Sequence, residues 1–523
     1  MFVPLTPIRC LLRATDQFGG KTGVVCGEKR FTYNEFADRC RRFSAVLRKL
    51  GVADGERVAV LGFNTHVLLE AYFAVPLINA VLVPLNVRLH LAEVSRIIEH
   101  CSPRVVLYER EFFATIVELR KRNPRCNYVA IDSDGMSVDS SLNGLIECDP
   151  IPMPDLFSID ELSIAELFYT SGSTGDPKGV MLSHRTLYMH ALELASTLDH
   201  SDDQVVLHTI PLFHANGWGF PQYLTMCGAK HVMVRRFQAE EVFHLIERER
   251  VTIMILVPTM ADALSNFAAA DSFDTTSLRG VLIGGAASSP QSIARMEQTF
   301  PSARVLTGYG LTESCPVIST ATPKSTTELP DNQTRTRLAS YAGWPAMGCE
   351  VRVVDACGAD VPRDFEAVGE LIVRGDNIMD GYYRSPEMTA EAIHNGWLAT
   401  GDMAAWSEDG CIRIVDRKKD IIISGGENIA SIEIEHALAS HAQVAECAVV
   451  AAPHEKWGET PVAIVVPKAA SSITAEELLE FASGHLAKFK LPREIIFRTE
   501  PLPRTGTGKV QKTLLREALR RKI

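Results

Sequence analysis

Short apolar runs alternate with amphipathic helical patterns through most of the chain. The runs are rich in Val, Ile and Leu and include RVAVLGF, AVLVPLN, RVVLYE, QVVLHTIP, HVMVRRF, TIMILVP and GVLIGGA. The helical patterns between them carry start signals, such as Thr32 with Glu35 three residues later, a pairing that caps a helix N-terminus. Alternation of this kind predicts an α/β fold in which helices cover largely parallel sheets.

The sequence changes character at about Val351, where β-type runs separated by glycines appear, as in EVRVVDACGADVP and VGELIVRG. This pattern predicts a small β-rich subdomain. After DRKKDIIISGGEN comes an α/β tail of roughly 100 residues, a size typical of a small domain. We therefore predict a large N-terminal domain over residues 1–418, made of helix-covered sheets and the β-rich subdomain, and a small α+β C-terminal domain over residues 419–523.

The amino-acid composition and net charge limit the kinds of partner that the chain is expected to bind. The chain has 523 residues, of which 46% are hydrophobic and 22% charged, and a net charge of −11. These values are ordinary for a soluble globular protein, and the negative charge argues against nucleic acid or anionic membranes as partners. A small molecule is the better prediction, and the sequence leaves open whether the chain forms a homodimer.

Targeting and redox features favour a cytoplasmic protein. The most apolar long stretch, LLEAYFAVPLINAVLVPL, is interrupted by Glu70, Pro76, Asn79 and Pro84, so it predicts a buried helix followed by a strand, not a membrane span. The N-terminal residues lack the pattern of a secretory signal. Twelve cysteines occur without a Cys-x-x-Cys pair, which predicts reduced structural thiols and no cysteine-built metal site.

The segment YTSGSTGDPKG, from Tyr169 to Gly179, predicts a loop that binds phosphate. Glycines let backbone N–H groups approach an anion, hydroxyls donate hydrogen bonds, and Lys178 supplies positive charge. A Walker-type loop is excluded, because Pro177 stands where its second glycine belongs and Gly179 follows the lysine. An ordinary surface turn remains the alternative at this point, since Gly/Ser/Thr/Pro clusters are common in turns.

Four further polar motifs follow in order: PLFHANGWG, GYGLTES, WLATGD and PRTGTGK. With the phosphate loop, their order and content resemble the adenylate-forming superfamily, and the resemblance runs from about Leu5 to Arg516. The residues within these motifs are most similar to those of bacterial fatty acyl-CoA synthetases and plant acyl-activating enzymes of medium-chain type. The resemblance implies two steps. A carboxylate attacks the α-phosphate of ATP to give an acyl-adenylate and pyrophosphate, and the thiol of CoA then displaces AMP.

The resemblance also implies which residues bind ATP. Tyr309 stacks on adenine beside Gly310, Thr312 contacts the α-phosphate and Glu313 is the Mg²⁺ ligand, a role that suits a carboxylate. Asp402 and Arg417 contact the ribose hydroxyls. The phosphate loop closes over the β- and γ-phosphates with Thr170, Ser171, Gly172, Ser173, Thr174, Gly175 and Lys178, and Gly285 and Ala286 contribute to the wall beside adenine.

The acyl pocket is assigned in the same way. His214 is an aromatic gate beside the acyl carboxylate and is counted with Thr312, Glu313 and Lys509 as catalytic. The pocket residues are His214, Trp218, Gly219, Gln222, Gly284, Gly285, Cys315, Pro316 and Val317. The sequence offers no evident fixed cation there for a second carboxylate, so we predict an apolar acid, a fatty acid of medium to long chain. The alternatives are an aryl or arylalkyl acid, or loading of a carrier protein in place of CoA.

The remaining implied roles concern the C-terminal domain, which rotates between the two steps in the superfamily. Lys509 bridges the attacking carboxylate and the α-phosphate during adenylation, and Lys419 aligns with the hinge. Gly425, Gly426 and Glu427 line the CoA tunnel. A nucleotide sensor without activity is disfavoured by the intact set of charged site residues, and a kinase or simple ATPase lacks any supporting motif.

Overall fold

The structure is a computed structural model that describes residues 2–131, 148–171, 177–198, 201–425, 427–469, 471–504 and 509–520. The chain divides into two compact units. The first comprises Met1–Ser288, Ser292–Glu350 and Arg374–Leu398, and the second comprises Ser289–Gln291, Val351–Val373 and Ala399–Ile523. The predicted division between residues 418 and 419 stays a prediction.

Helices occur throughout both units. In chain order they are α1 (Ile8–Phe18), α2 (Tyr33–Lys49), α3 (His66–Ala74), α4 (Leu91–Cys101), α5 (Phe113–Arg122), α6 (His184–Thr197), α7 (Phe220–Cys227), α8 (Ala239–Glu249), α9 (Pro258–Ser265), α10 (Pro290–Thr299), α11 (Asn332–Ala339), α12 (Pro386–Ala392), α13 (Ser431–Ala439), α14 (Ala475–Ser483) and α15 (Lys512–Arg520). Within the described residues no helix combines the length and apolar character needed to cross a bilayer.

Strands in the first part of the chain are β1 (Thr22–Cys26), β2 (Lys29–Thr32), β3 (Arg57–Leu61), β4 (Val81–Pro84), β5 (Val105–Tyr108), β6 (Asn127–Ala130), β7 (Ile164–Ser171), β8 (Pro177–Ser183), β9 (Val205–His208), β10 (Lys230–Met233), β11 (Ile253–Leu256), β12 (Gly280–Ile283) and β13 (Arg304–Gly310). The later strands are β14 (Val317–Thr320), β15 (Trp344–Pro345), β16 (Glu350–Val354), β17 (Gly369–Arg374), β18 (Gly381–Tyr382), β19 (Ile393–His394), β20 (Trp397–Trp406), β21 (Ile412–Arg417), β22 (Ile422–Ser424), β23 (Glu427–Ile429), β24 (Val444–His454), β25 (Gly458–Pro467) and β26 (Glu494–Phe497).

Two large sheets form the first unit. One has nine strands in the order β15-β14-β13-β12-β11-β9-β10-β1-β2, parallel from β13 to β1 and antiparallel at both edges. The other has seven strands in the order β18-β8-β7-β4-β3-β5-β6, in which β7 through β6 are parallel neighbours. Buried aliphatic side chains of α4 and α5 pack on this second sheet. The prediction of helix-covered, largely parallel sheets is confirmed.

The second unit is built on shorter, mainly antiparallel sheets. Strand β21 and most of β16, β17 and β20 share one of them. The other has the order β23-β22-β25-β24, with β26 parallel to β25. Helices α13 and α14 cover it through a core that includes Ile434, Leu438, Leu478 and Ala482. This arrangement agrees with the predicted β-rich segment and α+β tail.

Local signals in the sequence produced the expected elements. Thr32 caps α2 by accepting a hydrogen bond from the Glu35 amide, and the Glu35 carboxylate accepts one from the Thr32 amide at 2.7 Å. The apolar stretch after residue 67 forms most of α3 and then β4, and every residue of these two elements is buried. A capping box forms because its partners are three residues apart and need no distant part of the chain.

A pair of buried histidines joins two neighbouring strands of the nine-stranded sheet. His208 Nε2 lies 3.0 Å from His231 Nδ1, and His231 Nε2 lies 3.1 Å from the Thr225 hydroxyl. Burial lowers the pKa of His208 to about 3 and holds the pKa of His231 well below its ordinary value. Both rings are therefore neutral in the folded protein at neutral pH.

This pair predicts sensitivity to acid. Between the ordinary histidine pKa of 6.5 and the folded value of about 3, the unfolded chain binds protons that the folded chain does not. The free energy of unfolding should therefore decrease as the pH drops through this window, by roughly 1 kcal/mol per pH unit for each histidine. Urea unfolding from pH 7 to 4 measures the slope. His231→Gln should flatten it, whereas substitution of the exposed His244 should not; equal slopes in both variants would contradict the assignment.

Candidate active site

The predicted phosphate loop connects two antiparallel strands. In the β7–β8 hairpin Thr170 pairs with Lys178, and Ser171 pairs with Pro177. Gly172, Ser173, Thr174 and Gly175 lie outside the described residues, as does the side chain of Ser171. The Lys178 ammonium lies 5.3 Å from the centre of the Tyr382 ring, in cation–π range. The hairpin thus holds the predicted phosphate-binding lysine at the base of the loop.

Tyr382 joins this lysine to Glu313. Strand β18 pairs with β8, and from there the Tyr382 hydroxyl donates a 2.8 Å hydrogen bond to Glu313 Oε1. Burial and the negative charge of Glu313 raise the pKa of the Tyr382 phenol. The backbone carbonyl of Glu313 accepts a further hydrogen bond from the Met379 amide at 2.9 Å. Our sequence reading missed Tyr382, for which the aromatic pair in DGYYR was the only available signal.

The Glu313 carboxylate fits the role of a magnesium ligand. Glu313 lies in a single-turn 3-10 helix, Thr312–Ser314. Its Oε1 atom accepts the hydrogen bond from Tyr382, which orients the carboxylate. Within the described residues no group of three or more His, Cys, Asp or Glu side chains could hold a metal by itself. Mg²⁺ commonly takes one or two carboxylates together with substrate phosphates and water, so one carboxylate linked through Tyr382 to the predicted phosphate-binding lysine is consistent with it.

Strand β13 carries the predicted adenine contact. Tyr309 pairs with Ser319 of β14, and Gly310 follows it at a shift in register. Any side chain at Gly310 would overlap the carbonyl oxygen of Pro316, so only glycine allows this close approach. The hydroxyl of Ser314 donates to the same carbonyl at 2.7 Å. The GYGLTES motif therefore forms a strand end and a tight turn that present Tyr309, Thr312 and Glu313 within one short segment.

The two predicted ribose contacts meet in the second unit. Asp402 of β20 pairs with Arg417 of β21, and Arg417 Nε lies 2.8 Å from Asp402 Oδ1. The aspartate side chain is 3% exposed and the arginine 38%, so the carboxylate sits at the base of the pair and the guanidinium at its rim. A carboxylate held in this way is suited to accept hydrogen bonds from a diol.

The predicted acyl-pocket residues meet at a left-handed turn. From Ala215 to Gly219 every φ is positive, including 53° at Asn216 and 60° at Trp218. Non-glycine residues adopt this region at a cost and persist there only where their surroundings hold them. Here the Trp218 ring lies against Gly284, where a Cβ atom would approach Trp218 Cη2 to 2.5 Å. His214 precedes the turn, and Gly285 and Ala286 follow Gly284.

Two side-chain contacts connect this turn to its neighbours. The Asn216 amide lies 3.5 Å from Cys315 Sγ, next to Pro316 and Val317. Gln222, on the first turn of α7, donates to Glu166 Oε1 at 2.8 Å. Sequence reasoning did not select Glu166, because it occurs in the middle of an apolar run, AELFYT.

The predicted hinge occupies a turn between β21 and β22. The amides of Asp420 and Ile421 donate to the Arg417 carbonyl at 2.8 and 3.1 Å. Arg516 of α15 forms an ion pair with Asp420 and donates to the Lys419 carbonyl at 3.3 Å. Helix α15 therefore supports the turn that contains Lys419.

The other predicted residues of the C-terminal region are Gly425, Gly426, Glu427 and Lys509. The Gly425 amide donates to the Trp457 carbonyl at 2.8 Å, Gly426 lies outside the described residues, and Glu427 is exposed at the start of β23. Lys509 is exposed and adjoins an antiparallel bridge between Arg504 and Val510. The bridge anchors the chain directly beside the lysine.

Comparison with known proteins assigns this chain to a family. The model of the AMP-binding enzymes matches residues 11–383, and that of their C-terminal domain matches residues 433–509. The chain is 39% identical to a long-chain-fatty-acid–CoA ligase of Thermus thermophilus, with 97% of this chain and 94% of the relative covered. It is 35% identical to a peroxisomal benzoate–CoA ligase of Arabidopsis thaliana, covering 98% and 93%. Its structure matches ATP-bound MatB from Rhodopseudomonas palustris with a TM-score of 0.87 and 27% identity, covering 98% and 99%.

The fold and the site together define an enzyme that activates carboxylic acids with ATP. The chain belongs to the AMP-binding enzymes, and the predicted membership of the adenylate-forming superfamily, as an acyl-CoA synthetase, is confirmed. It is an AMP-forming acid–thiol ligase. The roles given above to individual residues stay predictions.

The contact between Tyr382 and Glu313 can be tested directly. Tyr382→Phe keeps the ring that Lys178 faces but removes the hydroxyl that orients the carboxylate. Because a hydrogen bond to a charged group stabilises by about 1.5–3 kcal/mol, we expect acid-dependent pyrophosphate exchange to slow about tenfold or more. Tyr383→Phe is the matched control, since its ring packs on His100. An exchange rate in Tyr382→Phe equal to that of Tyr383→Phe would refute the role.

Proposed function

We propose that this protein joins a free carboxylic acid to CoA through an enzyme-bound acyl-adenylate, with release of pyrophosphate and then AMP. The observation that supports this most is the linked group of Lys178, Tyr382 and Glu313 at the base of the phosphate loop. The relatives named above, which act on a long-chain fatty acid and on benzoate, are acid–CoA ligases and point to the same reaction.

Adenylation requires two anions to approach each other. Lys178 would offset the negative charge of the β- and γ-phosphates, which leave as pyrophosphate, and the phosphate-loop hydroxyls would donate hydrogen bonds to them. Asp402 would hold the ribose and Tyr309 the adenine, so that the α-phosphate has a fixed position. Lys509 would bridge the carboxylate and the α-phosphate and lower their repulsion. Mg²⁺, held by Glu313 and the phosphates, would supply additional positive charge.

Thioester formation would use a different set of residues. Rotation about Lys419 would withdraw Lys509 and bring the loop around Gly425 and Gly426 to the thiol. The side chain of His214 would move aside to admit it. The thiol sulfur would then attack the acyl carbonyl, and the C–O bond to AMP would break. The acceptor is CoA in this proposal; a carrier protein is the alternative.

The acid is proposed to carry a single carboxylate. None of the nine residues assigned to the acyl pocket is a Lys or Arg that could pair with a second carboxylate. A fatty acid of medium to long chain is the first candidate, and an aryl acid the second. We further propose a cytoplasmic enzyme that uses Mg²⁺; association into a homodimer remains to be measured.

Pyrophosphate release tests the proposal. Purified protein is incubated with ATP, Mg²⁺ and single acids (short, medium and long fatty acids, benzoate and cinnamate), with and without CoA. We expect release to be accelerated by CoA and to peak on one class of acid, with one AMP formed per thioester. Release that CoA does not accelerate would transfer the acceptor role to a carrier protein, and absence of release with every acid would reject the function.

A further inference from the structure

A cavity of about 240 Å³ opens on the seven-stranded sheet, within the first unit. Its apolar lining comes from strands β4, β7 and β8 and from the residue after β18, namely Val81, Ile164, Leu167, Met181 and Tyr383. An apolar cavity of about 150 Å³ can stay dry and bind benzene. This cavity therefore has room for a compact apolar molecule of roughly ten non-hydrogen atoms.

The cavity lies on the opposite face of the sheet from the predicted phosphate-binding lysine. Side chains alternate between the two faces along a strand. In β8, Lys178 and Val180 share one face, and Tyr382 joins them because it pairs with Val180. Met181 and its partner Leu167 occupy the other face, on which α4 packs. The sheet itself therefore separates this cavity from the face that carries the lysine.

One arginine supplies positive charge to the lining. Arg57 begins β3, and its partner in β4, Val81, lies on the same face. Three backbone carbonyls hold its guanidinium: Nε donates to Cys101 at 2.6 Å, Nη1 to Gly55 at 3.2 Å and Nη2 to Ser102 at 2.9 Å. Among the described residues it contacts no carboxylate. A guanidinium has five N–H donors, so one remains on each of the two Nη atoms.

The other polar side chains of the lining are neutral. Asn79 Oδ1 accepts a hydrogen bond from the Ser163 hydroxyl at 3.1 Å. The Asn79 amide lies 3.4 Å from the carboxylate of Asp54, whose charge is offset by an ion pair with Arg48 at 2.6 Å. The cavity thus combines an apolar lining with one fixed guanidinium that has no carboxylate partner.

We propose that this cavity is a second binding site for a small monocarboxylic acid, distinct from the acyl pocket. The apolar body of the acid packs against Met181 and Tyr383, and its two carboxylate oxygens accept from the two Nη atoms of Arg57, the paired geometry that guanidinium and carboxylate favour. Inorganic phosphate would leave the apolar lining unused, and an uncharged analogue would leave the charge of Arg57 without a partner. The inference goes beyond the proposed ligase function and does not depend on it.

The first test observes the cavity by NMR of protein with ¹³C-labelled methionine methyl groups. The Met181 signal is assigned from its absence in Met181→Leu. Benzoate, phenylacetate and octanoate are titrated in turn, with the acyl pocket filled by an acyl-sulfamoyl adenosine, a stable mimic of the acyl-adenylate. We expect at least one acid to shift the Met181 signal saturably and to leave that of Met347, which is 65% exposed and does not line the cavity, in place.

If no acid shifts the Met181 signal saturably, or if Met347 responds in the same way, the inference is wrong. Failure of the adenylate mimic to bind would count against the proposed function alone, because the Met181 signal still reports on the cavity.

Two comparisons then test the charge. The primary amide of the tightest-binding acid has the same size without the charge, and it should bind about tenfold more weakly or worse. Arg57→Gln keeps an N–H donor for the carbonyls at the end of α4 but removes the charge, so it should weaken binding of the acid about tenfold or more. Arg41→Gln is the matched control and should stay within about twofold of wild type. Arg41 also donates to a backbone carbonyl, that of Ile151 at 2.7 Å, and does not line the cavity.

Equal affinity for the acid and its amide, or equal affinity of Arg57→Gln and Arg41→Gln for the acid, would overturn the inference, because the cavity would then not select a carboxylate. If Arg57→Gln does not fold, the comparison of acid with amide in the wild type decides.

Discussion

Replacing Lys509 with Ala should slow adenylation by about 10²–10³-fold, the usual effect of removing one group that stabilises developing charge in a transition state. Lys509 is exposed and adjoins Val510 of the Arg504–Val510 bridge, so the substitution removes an ammonium group without opening a core. Thioester formation from supplied acyl-adenylate and CoA should stay within about twofold of wild type. The two rates are measured as acid-dependent ATP–pyrophosphate exchange and as AMP release from synthetic acyl-AMP.

Lys490→Ala serves as the control for loss of positive charge from the same unit. Lys490 pairs with Glu433 on the surface, an interaction that contributes little to stability, so both half-reactions should be unaffected. An equal decrease of both half-reactions in Lys509→Ala would mean that the lysine supports the fold or both steps, and the assignment to adenylation would then be abandoned.

Replacing Lys419 with Pro should have the opposite effect. Proline holds φ near −65° and removes the backbone N–H, so a residue that must change φ between two poses loses one of them. The turn is already held in one arrangement by the Arg417 carbonyl and by Arg516. We expect pyrophosphate exchange to remain within a few-fold of wild type while thioester formation falls by about tenfold or more.

Lys419→Ala separates the backbone effect from the loss of the side chain. It removes the same ammonium group and leaves φ free, so overall turnover should be close to that of the wild type. If Lys419→Pro turns over at the same rate as Lys419→Ala, rotation about this residue is not needed for the second step. If both variants lose activity together, the side chain and not the backbone carries the effect.

Much of the fold followed from interactions between residues close in sequence. The alternation of apolar runs with helical patterns predicted sheets covered by helices, and the Thr32–Glu35 box predicted the start of α2. A second box, Thr474 with Glu477, begins α14. These signals can be read directly because side-chain periodicity and capping depend on neighbours only a few residues away. The motif order was sufficient to predict the family and the class of reaction.

The contacts that shape the site could not be read in this way. Tyr382 meets Glu313 from 69 residues away, and Gln222 meets Glu166 from 56 residues away. Which strands become neighbours, such as β18 beside β8, depends on the packing of whole sheets and leaves no local pattern in the sequence. The sequence by itself therefore determined the elements, the family and the candidate residues. Only the tertiary structure decided which side chain orients Glu313 and which one contacts Glu166, because both depend on where distant segments meet.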